Sequence, residues 1–197
     1  FTDKVAAQFK AILPALNISN DDFIRTTEAR HKQGAQALWR KLQDSGDIYK
    51  STYSGWYAVR DEAYYAEDEL RDGPNGKKIG PSGAEVEWME EESYFFRLSA
   101  WGDKLMDFYA AHPDFVMPET RFNEVKSFVR GGLKDLSVSR TAFDWGVPVP
   151  GNDKHVMYVW IDALTNYLTV AGYPNDVSEF WPADLHLVGK DILWFHS

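Results

Sequence analysis

Two short stretches near the end of the chain constrain its fold more than any other feature. The first is Val159-Trp160-Ile161-Asp162-Ala163, and the second runs from His186 to His196 with the sequence His-Leu-Val-Gly-Lys-Asp-Ile-Leu-Trp-Phe-His. Each pattern predicts a strand whose end carries polar and aromatic side chains into the start of a helix. In open α/β sheets, ligands bind at such points because strand carboxyl ends and helix N-termini together form a crevice. The sequence therefore predicts an α/β fold with a ligand site in this region.

The N-terminal part of the chain alternates helices with one strand. The spacing of apolar residues predicts a helix over 4–13, which Pro14 ends. Residues 22–27 are predicted as a short strand. They lead into a long amphipathic helix over 28–45, with Gly46 at its C-terminal cap. Helix, strand and helix in succession are typical of an α/β domain.

The middle of the chain is rich in aromatic residues and is broken twice by glycine and proline. Strands are predicted over 48–49, 54–59 and 92–98, and helices over 101–112 and 121–130. This pattern predicts a compact β-rich insert followed by helices.

The C-terminal part predicts two units in which a strand leads into a helix. A strand is predicted over 156–160, and the helix after it runs through Thr169 with Asp162 as its N-cap. The last strand is predicted over 185–188, and Asp191 is expected to open the last helix.

Composition limits the class of protein. Hydrophobic residues make up 44% of the chain and aromatic residues 15%, which is enough for a packed core. No run of about 18 apolar residues is present, so no membrane span is expected. The net charge of −9 argues against a nucleic-acid-binding surface in this stretch. The chain has no cysteine, which excludes disulfides and thiolate metal sites and fits a cytoplasmic protein.

Further short motifs occur along the chain. They are Phe23-Ile24-Arg25-Thr26-Thr27 followed by His31, Gly46-Asp47-Ile48-Tyr49, Tyr53-Ser54-Gly55-Trp56-Tyr57, Glu91-Glu92-Ser93-Tyr94-Phe95-Phe96, Leu136-Ser137-Val138-Ser139-Arg140 and Trp145-Gly146-Val147-Pro148-Val149-Pro150. Together with the two C-terminal stretches, and in this order, they resemble the middle of methionyl-tRNA synthetases, a family of class I aminoacyl-tRNA synthetases.

The resemblance implies a class I Rossmann-type catalytic domain, partial in this chain and interrupted by a connective-peptide insert of mixed β and helical structure. Residues 1–46 would end the first half of the domain, 47–138 would form the insert, and 139–197 would begin the second half. The family's two ATP signatures, H-I-G-H and K-M-S-K-S, are absent from the chain. The isolated fragment is therefore expected to be inactive.

Many members of this family carry a cysteine zinc knuckle in the insert. Here no cysteine is present, and the five histidines show no paired spacing. Neither a structural zinc nor any other metal site is expected.

The resemblance also implies which residues bind methionine: Trp160, Ala163, Leu164, Tyr167, Ile192, Phe195 and His196. Aromatic surfaces suit an unbranched thioether, because its sulfur is polarizable and only a weak hydrogen-bond acceptor. On a helix, Ala163 and Tyr167 share a face, as do Ile192 and His196. Either Tyr167 or His196 is expected to offer a hydrogen bond toward the sulfur.

Three further residues are implied to act on ATP, which would bind as a substrate with Mg²⁺. Gly189 would let the nucleotide approach the backbone closely, and the Asp191 carboxylate would accept hydrogen bonds from the ribose hydroxyls. Arg140 would be the catalytic residue, stabilising charge that develops as the methionine carboxylate attacks the α-phosphate.

The implied function is that of a methionine–tRNA ligase. It activates L-methionine with ATP to methionyl-adenylate and transfers it to tRNA(Met), with tRNA bound by the full-length protein and no membrane involved. The alternative is a non-catalytic relative that binds tRNA or acts as a scaffold. Without the resemblance, Trp160, Tyr167 and Phe195 would be interpreted as core aromatics, and Arg140 as a member of an ordinary ion pair.

Overall fold

The fold is taken from a computed structural model that describes residues 1–61 and 63–197, with the side chains of all of these except Tyr53, Ala63 and Asn75. The N-terminal part contains α1 (Thr2–Ile12), a 3₁₀ turn at Pro14–Leu16, and α2 (Ala29–Asp44). Both helices were expected from the periodicity of the sequence. Gly46 follows α2 with a φ of 79°, a conformation that glycine adopts without strain.

The strand predicted over 22–27 is wrong, because this segment forms no strand. The Asp22 carboxylate accepts a hydrogen bond of 2.7 Å from the backbone N–H of Phe23 and two more from the guanidinium of Arg30, at 2.6 and 2.9 Å. Such local bonds from an aspartate compete with strand pairing. The apolar residues that suggested a strand are held in a loop instead.

The middle of the chain forms one long antiparallel hairpin with short additions. Its elements are β1 (Ile48–Ala58), β2 (Ala63–Tyr65), β3 (Arg71–Asp72), β4 (Lys78–Ile79), β5 (Glu87–Phe96), α3 (Gly102–Ala111) and α4 (Glu119–Arg130). β1 pairs with β5 from Ile48 opposite Phe96 to Tyr57 opposite Glu87. Because this pairing is continuous, the two strands predicted over 48–49 and 54–59 are one strand.

The C-terminal part begins with four short strands. They are β6 (Leu136–Ser137), β7 (Ser139–Arg140), β8 (Pro148–Val149) and β9 (Asn152–Met157). β6 joins the edge of the insert sheet, whose order is β2-β1-β5-β6, while β9 lies between β7 and β8 in a separate antiparallel sheet. Helix α5 (Val159–Val170) follows, and after a 3₁₀ turn at Lys190–Ile192 the chain enters α6 (Leu193–His196).

The strand predicted over 156–160 is displaced toward the C-terminus, because the observed strand β9 covers Asn152–Met157. Pairing ends at Met157, and α5 begins at Val159, so Trp160 lies in the first turn of the helix. The boundary is set by two tertiary hydrogen bonds, from Met157 N–H to Val147 O at 2.8 Å and from Tyr158 N–H to Val138 O at 2.7 Å. Beyond Tyr158 the backbone has no strand partner among the described residues, and it turns into a helix.

Three expectations for the two strand-to-helix stretches are also wrong. Asp162 is not the N-cap of α5, because the helix starts earlier and Tyr158 holds that position. Residues 185–188 form no strand, since no neighbouring strand lies beside them in the described part of the chain. Leu187 there is 92% exposed. The last helical segment starts at Lys190, with Gly189 rather than Asp191 at the cap.

The main core lies where the three segments predicted from the sequence, 1–46, 47–138 and 139–197, meet. Trp39 of α2 is fully buried and packs edge-on against Tyr94 of β5, with ring centroids 5.4 Å apart. Met157 at the end of β9 joins this cluster, as do Val138 and Val147, which lie next to strands. The fold is therefore mixed α/β, and the strand pairs in the described residues are antiparallel. None of the described helices has the length and apolar character needed to cross a membrane.

Candidate substrate site

Helix α5 has two faces with different surroundings. Four of the residues predicted to bind methionine lie along one face, at positions 160, 163, 164 and 167. At 3.6 residues per turn, positions 162, 165 and 169 fall on the opposite face. Thr165 and Thr169 on that second face are buried, whereas the predicted site residues are half-buried. The helix therefore presents its predicted site residues on the side away from α2.

The aromatic pair Trp160 and Phe195 joins α5 to α6. Their rings are stacked with centroids 3.7 Å apart and an angle of 8° between the planes. Phe195 remains 38% exposed, so the pair lies at the surface of this chain rather than in its core. Flat, accessible aromatic surface is what a thioether side chain would contact.

A second pair, Tyr167 and His196, connects the same two helices almost two turns further along α5. The Tyr167 hydroxyl lies 2.7 Å from Nε2 of His196, and Nδ1 of this ring lies 2.8 Å from the carbonyl oxygen of Ile192. A carbonyl oxygen only accepts, so Nδ1 carries the proton, and in the neutral ring Nε2 accepts the hydroxyl proton of Tyr167. Burial raises the pKa of Tyr167, which keeps the hydroxyl protonated as a donor.

This pairing bears on the hydrogen bond expected toward the methionine sulfur. The hydroxyl proton of Tyr167 is already donated to His196, and in the neutral ring Nε2 has no proton to offer. In the described arrangement neither group therefore has a free donor for sulfur. Their shared surface would contact the thioether by packing.

The predicted methionine residues are not equally connected. Trp160, Tyr167, Ile192, Phe195 and His196 are linked by the contacts above. Ala163 and Leu164 lie on the same face of α5 without a ring or hydrogen-bond contact from their side chains.

His186 also belongs to this aromatic group, although it is not among the predicted site residues. It lies edge-on to Tyr167, with ring centroids 4.7 Å apart, and contacts Trp181 on its other side at 5.9 Å. Its place in the motif that carries Gly189 is the signal that could have indicated it.

The residues predicted for ATP lie at the turn before α6. A Cβ atom added at Gly189 would meet no atom within 4 Å, so the backbone is open to an approaching ligand. The Asp191 carboxylate is largely exposed and pairs with Lys190. An exposed pair of this kind contributes little stability and leaves the carboxylate accessible to hydroxyl groups. The turn thus offers an accessible acceptor, and its role in binding a ribose stays a prediction.

Arg140 lies near the start of α5. Its guanidinium stands 3.9 Å from the ring centroid of Tyr158, the N-cap residue of that helix. Nη1 donates to Ser137 Oγ and to the carbonyl oxygen of Ser139, both at 2.7 Å. Nε and Nη2 have no hydrogen-bond partner among the described residues. Arg140 is thus fixed by one nitrogen and retains donors for an anion.

The position of Arg140 depends on a buried polar cluster at the seam between the insert and the C-terminal part. Ser139 is fully buried, and its Oγ accepts the backbone N–H of Tyr94 at 2.9 Å and lies 3.0 Å from Nδ1 of His155. Ser93 Oγ on β5 lies 2.7 Å from Ser137 Oγ, which in turn holds Arg140. This cluster was not predicted, since separate serines along a chain give no sign that they meet.

A fully buried histidine supports α5 from the other side. His31 of α2 places Nε2 at 2.6 Å from Oδ1 of Asp162 and Nδ1 at 3.3 Å from Oγ1 of Thr169. Asp162, expected to be an N-cap, thus uses its carboxylate in a tertiary contact. Among the described residues, no group of three or more His, Cys, Asp or Glu side chains could hold a metal ion.

The chain matches the family described as tRNA synthetases class I (M) over residues 1–197. The methionine–tRNA ligase of Brucella suis is 57% identical over 198 residues, covering 99% of this chain and 38% of that protein. The methionine–tRNA ligase of Rickettsia conorii is 59% identical over 201 residues, covering 100% of this chain and 39% of that protein.

Solved structures of the same family have a similar fold. Mycobacterium tuberculosis methionyl-tRNA synthetase bound by methionyl-adenylate matches with a TM-score of 0.82 and 56% identity, over 95% of this chain and 38% of that chain. A second structure of this synthetase with methionyl-adenylate gives a TM-score of 0.83 at 54% identity. The match covers 100% of this chain and 40% of that chain. The chain thus spans less than half the length of the proteins it matches, and it belongs to the family of tRNA synthetases class I (M).

Proposed function

We propose that residues 1–197 are the central segment of a methionine–tRNA ligase. One observation carries the proposal: α5 and α6 face each other through Trp160 stacked on Phe195 and Tyr167 bonded to His196. The relatives with known structures include complexes with methionyl-adenylate, which is consistent with a pocket for a thioether beside one for a nucleotide. The Rossmann halves, 1–46 and 139–197, and the insert between them, 47–138, are part of the proposal.

The methionine side chain would lie against the aromatic surface of α5 and α6. Trp160 and Phe195 offer polarizable rings to the sulfur, and Ala163 is small enough to leave space beside them. Leu164 and Ile192 would contact the methylene groups. Tyr167 and His196 would hold the two helices at a fixed distance, because their hydrogen bond joins them directly.

Activation is an in-line displacement at phosphorus. The methionine carboxylate attacks the α-phosphate of ATP, a bond from carboxylate oxygen to phosphorus forms, and pyrophosphate leaves with the electrons of the broken bond. Gly189 and Asp191 would orient the ribose, and Arg140 would stabilise charge on the phosphate through its free Nε and Nη2 donors. Mg²⁺ would enter bound to ATP. Transfer follows when a ribose hydroxyl of tRNA(Met) attacks the carbonyl carbon and AMP leaves.

Amino-acid-dependent ATP–pyrophosphate exchange tests this function. The assay needs the full-length chain, meaning residues 1–197 with the segments that flank the matching stretch in the relatives. We expect exchange with methionine and none with leucine. Arg140→Ala should lower kcat by about 100-fold, the scale of removing one group that stabilises transition-state charge.

The matched control is Arg121→Ala, which removes an exposed guanidinium that pairs with Glu124 on α4. It should leave exchange unchanged. A folded full-length chain with no exchange for any amino acid would contradict the ligase and favour the non-catalytic tRNA-binding or scaffolding relative. The Brucella suis enzyme serves as the positive control for the assay.

A further inference from the structure

Helix α5 makes directional polar contacts on the face opposite the predicted methionine residues. The His31 ring is 0% exposed and reaches two residues of α5 at once, with Nε2 at 2.6 Å from Asp162 and Nδ1 at 3.3 Å from Thr169. These two contacts lie almost two turns apart along the helix. A single ring therefore fixes α5 in two places.

The two helices also approach closely beside this ring. A Cβ atom added at Gly34 of α2 would lie 2.6 Å from Oγ1 of Thr169 and 3.3 Å from the carbonyl oxygen of Tyr173. A contact at 2.6 Å would force the Thr169 side chain to shift, so the two helices pack closely at Gly34. The close approach at Gly34 keeps His31 within hydrogen-bond distance of α5.

The face that His31 holds is opposite to the face with the predicted methionine residues. Each residue advances a helix by about 100°, so turning α5 by one position would move Trp160 and Tyr167 away from α6. Apolar contacts alone tolerate small rotations, because they are not directional. A hydrogen bond to a carboxylate is directional and short, and it therefore defines the rotation of the helix.

We propose that His31 is a positioning residue for the methionine pocket. Through Asp162 it sets the rotation of α5, and thereby the direction in which Trp160 and Tyr167 meet α6. This inference rests on the proposed function, since it concerns the same pocket. Buried polar pairs add little net stability compared with apolar contacts, but they can select one packing arrangement over its neighbours.

The contact between His31 and Asp162 requires one proton arrangement. A carboxylate oxygen only accepts, so Nε2 of His31 must carry a proton whether the ring is neutral or charged. A glutamine at this position can place an amide N–H near the same point. A leucine fills similar space but offers no donor.

The test compares His31→Leu and His31→Gln in the full-length chain, with Lys32→Ala as the matched control. Lys32 is the next residue on α2 and is exposed. The Michaelis constants for methionine and for ATP are measured separately by pyrophosphate exchange. The concentration of active sites comes from the burst of adenylate formation. Circular dichroism reports whether each variant is folded.

We expect His31→Leu to raise KM for methionine by about tenfold while KM for ATP changes little, because a lost hydrogen bond to a charged group has this scale. His31→Gln should restore KM to within about threefold of the unsubstituted chain. Lys32→Ala should match the unsubstituted chain. Should His31→Leu fail to fold, Asp162→Ala and Asp162→Asn repeat the comparison from the other partner, since only asparagine keeps an accepting oxygen.

Two results would overturn the inference. One is an unchanged KM for methionine in folded His31→Leu or Asp162→Ala. The other is an equal rise in both Michaelis constants, which would indicate a general structural role. Both differ from failure of the proposed function, in which the unsubstituted chain shows no methionine-dependent exchange while the Brucella suis enzyme does. In that case the proposed function and the positioning role of His31 are both contradicted.

Discussion

The indole ring of Trp160 and the phenyl ring of Phe195 lie flat against each other, 3.7 Å apart between centroids. One ring belongs to the first turn of α5 and the other to α6, so their contact joins the two elements that carry the proposed methionine pocket. Nearly parallel rings this close bury a face of each. The opposite faces and the ring edges are left for a ligand.

Removal of the Trp160 ring should weaken methionine binding. Trp160→Ala deletes the stack and one aromatic surface of the pocket. We expect KM for methionine to rise by about two- to twelvefold, since aromatic pairs contribute about 0.5–1.5 kcal/mol beyond the area they bury. Pyrophosphate exchange at varied methionine measures it. Trp88→Ala is the matched control, because Trp88 is 59% exposed on β5 and contacts Trp56 rather than the pocket. Equal effects of both substitutions would argue against the assignment of Trp160.

Loss of the Tyr167 hydroxyl should loosen the contact between α5 and α6. Tyr167→Phe leaves Nε2 of His196 without its donor, which costs on the order of 1 kcal/mol. Hydrogen exchange of the α5 backbone amides in the full-length chain should become faster by about fivefold, the equivalent of that free energy.

The same hydrogen bond should depend on pH in a defined direction. Burial raises the pKa of Tyr167 above its value of about 10 in the unfolded chain. The hydroxyl therefore contributes to stability at pH values below about 10. This contribution is lost as the pH rises through the pKa of Tyr167 in the folded chain. The difference in exchange between the unsubstituted chain and Tyr167→Phe should therefore shrink at strongly alkaline pH. A difference that grows with pH would contradict the assigned donor.

The buried seam at Ser139 should contribute to stability. Ser139→Ala removes the oxygen that accepts the Tyr94 N–H and faces His155, so two buried polar groups lose a partner. We expect the local free energy of opening around β5 and β9 to fall by about 1–3 kcal/mol. Hydrogen exchange measures it, and the exposed Ser127→Ala on α4 is the control.

The outer part of the insert should be sensitive to acid. Asp61 accepts a hydrogen bond from Ser82, which lowers the pKa of that carboxyl, and further bonds from Tyr65 and Arg60 act in the same direction. A carboxyl whose pKa is lowered by folding stabilises the folded state at pH values above its pKa in the unfolded chain. This stabilisation is lost as the pH falls through its pKa in the folded chain. Hydrogen exchange over 64–86, corrected for its intrinsic pH dependence, should increase below about pH 4.

Ser82→Ala checks the cause of this acid sensitivity. It removes the hydroxyl that contributes most to lowering the pKa of Asp61. Protection over 64–86 should then be lost at a higher pH than in the unsubstituted chain. An unchanged acid profile in this variant would show that Asp61 does not hold the segment.

The amphipathic helices could be predicted from the sequence because their signal is local. α2, α3 and α4 each show apolar residues at helical spacing, and their observed bounds lie within a few positions of those expected. The aromatic residues predicted for the site came from the family resemblance, and their role in binding stays a prediction. The pairing of Tyr167 with His196 needed the structure, because it depends on where α6 lies relative to α5.

The boundary between β9 and α5 could not be predicted from local pattern. Val156 to Trp160 contains no glycine or proline, and its β-branched and aromatic residues favour a strand throughout. Hydrogen bonds from Met157 and Tyr158 to distant carbonyls decide the position instead. Asp162 illustrates the same limit: its residue type suggests a cap, but its partner His31 lies far away in the chain.

Charging of tRNA(Met) with methionine by the full-length chain tests the central claim most directly. With ATP present, the ligase predicts methionyl-tRNA that is sensitive to mild alkali, as an ester should be, and no product when leucine replaces methionine. Binding of tRNA by the folded chain without any charging, under conditions in which the Brucella suis enzyme charges it, would contradict the account and identify a non-catalytic relative.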